Sequence, residues 1–109
     1  MIQHLVDKVN KLEEEKRELV KNEVFAKPVC QKTVQTFGKE HTMLAAIDEM
    51  SELTQALTKV IRGNADFDLI DQKIADVEIL TECLKSVFSN GTKVKDWKEK
   101  KILALSRKI

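Results

Sequence analysis

Apolar residues recur at helical spacing along almost the whole chain. Ile2, Leu5, Val9, Leu12 and Leu19 alternate steps of three and four, with Lys16 on the missing rung, which predicts an amphipathic helix from Ile2 to about Glu23. Roughly three heptads are short for a free-standing coiled coil, so this helix is expected to lie on the rest of the domain. Pro28 is expected to close the segment, because proline lacks the amide donor that a helix interior uses. A short helix over Val29–Phe37 should end at Gly38. The next, from about Glu40 to Ile61, carries Met43, Ala46, Ile47, Met50, Leu53, Leu57, Val60 and Ile61 as one broad stripe, stopped by Gly63-Asn64. Another, over Phe67–Phe88, is striped by Ile70, Ile74, Val77, Leu80, Leu84, Val87 and Phe88, and ends at Asn90-Gly91. The last begins near Val94 and bears Trp97, Ile102, Leu105 and Ile109, with the single tryptophan expected in the core.

Composition agrees with this reading. Glycine (3) and proline (1) are scarce and tyrosine is absent, which favours helices over strands. The expected fold is all-α, an antiparallel bundle of four to five helices. A chain of 109 residues buries a modest core, and stripes this broad call for partners, so dimerisation or tetramerisation is expected to complete the bundle. Residues 1–27 read as an N-terminal helix and residues 28–109 as the domain proper.

Lys plus Arg (19) nearly balance Asp plus Glu (18), so no global field draws a nucleic acid polymer or an anionic membrane. The N-terminus MIQHLVDKVNKLEEEK has no apolar signal region, and no stretch approaches the roughly 20 apolar residues that span a bilayer, so a cytoplasmic location is expected. Cys30 and Cys83 lie far apart without a C-x-x-C partner, which predicts reduced thiols, neither a zinc site nor a disulfide framework.

The informative charges are those that fall inside the apolar stripes, since a buried charge needs a counter-ion. Glu49 and Glu52, three apart, share one flank of their helix, where Ala45 and Ala56 leave room. On the following helix Asp76 occupies a flank and Lys73 projects near the centre of the apolar face. If the two helices pack side by side, three carboxylates and one ammonium converge. Such oxygen ligands suit magnesium. Equally, the same residues can form a salt-bridge cluster with Lys73 as its cation. Asp48, Asp71 and Glu78 project elsewhere and read as solvated charge.

The stretch FGKEHTMLAAIDEMSELTQALTKVIRG, followed by KIADVEIL, resembles the MazG-like all-α nucleoside triphosphate pyrophosphohydrolases in their short, phage-type, single-domain form. The likeness runs from about Cys30 to the C-terminus. That family's signature pairs E-x-x-E on one helix with E-x-x-D on the next; here Glu49 and Glu52 match the first half and Asp76 the last position, while Lys73 stands where the family has Glu. Thr42 stands where short members carry Gln near the base, and Lys101, Ala104 and Lys108 depart from the family's C-terminal pattern. The resemblance implies cleavage of an NTP or dNTP to monophosphate and pyrophosphate, with Mg2+ (or Mn2+) on Glu49, Glu52 and Asp76 as both metal-binding and catalytic residues. It also implies an oligomeric helical assembly. Lys59, Arg62, Lys101 and His41 are the candidates to meet the nucleotide, and Trp97 is a candidate to stack on a base.

Overall fold

The computed structural model describes residues 2–21, 23–88 and 91–109, with side chains throughout these except over 16–25. Five helices follow one another: α1 Ile2–Lys21, α2 Glu23–Phe37, α3 Lys39–Ile61, α4 Phe67–Phe88 and α5 Thr92–Ser106. No strand occurs among the described residues. None of the described helices is long and apolar enough to cross a membrane.

The turn between α3 and α4 is specified residue by residue. Gly63 adopts a left-handed φ of 86°, and its amide donates to the carbonyl of Val60 (3.0 Å), while the amide of Asn64 donates to that of Lys59 (2.9 Å). These two bonds satisfy carbonyls that a helix end leaves free. Asp66 then accepts from the amide of Leu69 at 3.1 Å, capping the N-terminus of α4. The chain reverses in five residues, and α3 and α4 run antiparallel along the most extensive interface in the molecule. Across α4, and to a lesser extent α3, lies α2.

Pro28 does not break the chain. It sits within α2, in the second turn, where the helix continues past it with one backbone hydrogen bond forgone. The expected division at 27/28 therefore falls inside a helix. Gly38, with φ 90°, separates α2 from α3.

Burial departs from the sequence expectation in a consistent way. The fully buried apolar residues are small: Cys30, Ala46, Ala56, Cys83 and Val87, joined by Thr42, whose hydroxyl donates to the carbonyl of Gly38 at 2.9 Å. Ile47, Met50, Leu57 and Ile61, expected in the core from the α3 stripe, are exposed, as are Ile74 and Phe88 on α4. The stripe is broader than the face its neighbours cover. Ile2, Leu5, Val9 and Leu12 of α1 are also exposed, since among the described residues this helix meets chiefly α2; the expectation for Leu19 lies outside the described side chains. On α5, Trp97 is 59% exposed with the Lys100 ammonium 5.2 Å from its ring centre, so it is no core residue within one chain. The radius of gyration, 18.2 Å, far exceeds the roughly 13 Å of a compact globule of this length.

A second correction concerns the cysteines. They are not separate thiols: Cys30 on α2 and Cys83 on α4 are disulfide-bonded with their Cα atoms 4.7 Å apart. The crossing of α2 over α4 joins positions 53 residues apart, a proximity that linear spacing does not reveal. Finally, α5 starts at Gly91, which has φ 82° and where a Cβ would come within 2.9 Å of Lys85 Cδ.

Candidate functional site

The seam of α3 is a row of residues spaced by three and four. Thr42, Ala46 and Ala56 are buried in it, with half-buried Leu53 and Val60, and Glu49 occupies the rung between the two alanines. Small neighbours let α4 approach closely, and Glu52, one turn on, flanks the same line. From α4, Lys73 and Asp76 stand three apart on the facing side. Lys73 Nζ donates to Glu52 Oε2 at 2.8 Å and to Asp76 Oδ2 at 3.4 Å, and lies 3.6 Å from Glu49 Oε2. Three carboxylates from two helices thus surround one point, and the ammonium fills it.

The electrostatics follow from this placement. Its side chain 21% exposed, Lys73 is the most enclosed member of the group, and the hydrogen bond to Glu52 holds its pKa above the usual lysine value against the opposing effect of burial. The Glu52 carboxyl is held below its ordinary value, chiefly by that same bond from Lys73. Glu49 moves the other way: desolvation, then the adjacent Glu52, raises it. Of the two glutamates Glu49 is therefore the one that keeps a proton longer. Its Oε2 is buried without a hydrogen-bond partner, the ammonium being at ion-pair distance only.

No protein-family model, curated protein or solved structure matches this chain. The site is therefore judged on its own geometry.

Hard oxygen donors converging from two helices are the right chemistry for magnesium, and the Glu49 Oε2 is buried without a hydrogen-bond partner. Yet among the described residues no three His, Cys, Asp or Glu side chains are disposed to hold a metal ion, and the common point belongs to Lys73. As they stand, the carboxylates bind the ammonium and do not form a divalent-cation site.

The remaining candidates are not gathered at this point. None of His41, Lys59, Arg62 and Lys101 makes an ion pair or hydrogen bond with the four clustered side chains. His41 packs its ring against Phe37, centroids 5.3 Å apart. Lys59 and Arg62 are exposed at the far end of α3, Arg62 as its C-terminal cap. Lys101 lies with Trp97 and Ile102 along an open apolar groove of about 530 Å³ on α5, away from the acidic cluster. Asp48, Asp71 and Glu78 are exposed, as their projection predicts.

Sequence reasoning missed the burial of Thr42 and the meeting of the cysteines. A polar residue at the seam's first rung, in register with Ala46 and Glu49, was the available signal for the former. For the latter there was none.

Proposed function

We propose that this chain is a magnesium-dependent nucleoside triphosphate pyrophosphohydrolase of the MazG-like kind, with Glu49, Glu52 and Asp76 as its metal-binding site. The observation that carries the reading is the convergence of these three carboxylates, from α3 and α4, on a single cation-sized point. Magnesium held by them would neutralise phosphate charge and lower the pKa of a water bound to it. Glu49, whose carboxyl retains its proton more readily than that of Glu52, is the better placed of the two to exchange a proton with an attacking water. Lys73, on a flexible four-carbon stem, moves from the carboxylates to the incoming phosphates when the nucleotide arrives with its cation. The apolar faces left open on α1, α3 and α5 are covered by further copies of the chain, completing an antiparallel bundle as a dimer or tetramer. Cytoplasmic nucleotide pools are its setting.

A second reading has its own support. Because the Lys73 ammonium already satisfies the cluster as a cation, the chain also suits a catalytically silent relative that serves as a helical oligomeric binding or scaffold module. One assay separates the two. Ribo- and deoxyribonucleoside triphosphates are incubated with Mg2+ or Mn2+ and released pyrophosphate is measured, beside Glu52→Gln and Lys73→Glu. The enzyme reading expects release that Glu52→Gln abolishes; absence of release from every nucleotide, in wild type and Lys73→Glu alike, leaves the scaffold.

A further inference from the structure

Cys30 and Cys83 are two of the few fully buried apolar residues, each 3% exposed, in a fold whose remaining core is mostly alanine, valine and threonine. Cys30 is the one fully buried residue of α2 among its described side chains. Cys30 is thus the most enclosed point of α2 against its neighbours. The chief partner of α2 is α4, and α1 meets the rest of the molecule chiefly through α2, so the disulfide ties the N-terminal arm covalently to α4. The Cα separation of 4.7 Å lies within the roughly 4.4–6.8 Å that a disulfide spans without moving the backbone. Equally telling, Cys30 Sγ lies 3.9 Å from the carbonyl oxygen of Ile79. That oxygen accepts from Cys30 when the sulfur carries a proton, so the site accommodates a buried thiol as well as a bonded pair.

From this we infer that Cys30 and Cys83 form a reversible staple, which locks α2 and the α1 arm onto α4 when oxidised and lets them come away when reduced. The partner chemistry is thiol–disulfide exchange with a low-molecular-weight disulfide. A thiolate of one cysteine attacks that disulfide and displaces one small thiolate; the second cysteine attacks the protein sulfur of the mixed disulfide and displaces the other. Two protein thiol protons are released, two small thiols are formed, and the Cys30–Cys83 bond results. Reduction by a dithiol reverses both steps. Since both sulfurs are enclosed, the small disulfide reaches them only when α2 lifts from α4, and exchange is paced by that opening.

The test uses the wild-type chain equilibrated in glutathione buffers of graded oxidation. The bonded fraction is read by alkylation and mass spectrometry, and amide hydrogen exchange is followed in both end states. A single two-electron transition is expected, without a lasting mixed disulfide. In the oxidised form the amides of α2 should exchange at least tenfold more slowly, and the melting temperature should rise on the order of 10 °C, as closure of a long loop implies. Cys30→Ala, which retains a small apolar side chain, should lose all dependence on the buffer. Failure of the bond to form at any glutathione ratio, or equal protection of α2 in the two states, overturns the inference.

Discussion

Between α3 and α4, alanines and a four-membered charge cluster meet at close range, whereas α1 and α5 turn larger apolar residues outward. Both regions follow the same three-and-four spacing. The hairpin is closed by side chains small enough to let two backbones approach, so polar groups can be enclosed between them. In the outer helices the bulk of Leu, Ile and Trp confers no stability until something covers it. Periodicity says which way a helix faces; residue size along the seam says whether the face finds a partner within its own chain.

The sharpest way to break the contrast is to enlarge the seam. Ala46→Leu should destabilise the chain by about 1–3 kcal/mol through overpacking, read by denaturant unfolding. A comparable enlargement on the outer face of α3, Leu57→Phe, should change little by the same measure.

The next effect concerns the cation. Lys73→Glu places four carboxylates around one point, so in chelator the variant should melt below wild type, and Mg2+ should restore it. Calorimetric titration should show Mg2+ affinity raised on the order of tenfold, because ligand charge helps set divalent affinity. Identical titrations for both proteins would remove the site.

Smaller shifts come with pH. Glu52, lowered in the fold, contributes stability that is present above its ordinary value of 4.5 and is lost as pH falls through its lower folded value. Glu49, raised in the fold, acts oppositely: stability declines as pH climbs from 4.5 through its raised value, because the folded form holds the proton longer. At neutral pH, Glu49→Gln should therefore raise the melting temperature and Glu52→Gln lower it, with both differences shrinking in acid. Lys73 adds stability below its ordinary 10.5 that fades as pH passes its raised folded value.

The smallest effect is expected at the surface. Trp97→Ala should leave the unfolding free energy of dilute protein within about 0.5 kcal/mol, since the ring is already in water. Self-association, followed by sedimentation, should weaken.

The helices of the hairpin were legible because Gly38, Gly63 and the apolar spacing mark their ends. So was the convergence of Glu49, Glu52, Lys73 and Asp76, because residues three apart on facing helices address one point. The depth of burial was not. Hydropathy ranks Ile47 and Leu57 above Ala46 and Ala56, but close packing selects by volume, and the alanines won. Nor can a single chain's pattern distinguish an apolar face that folds inward from one that waits for a second molecule. Pro28 misled because a helix can run through a proline with one backbone bond forgone.

The left-handed bend at Gly91 gives the last helix a pivot. The positive φ of Gly91 favours glycine there, and from it α5 departs as a rod of 15 residues, about 22 Å long. A rotation of a few degrees at that pivot sweeps Leu105 and its neighbours through an arc wide enough to meet or miss a second surface.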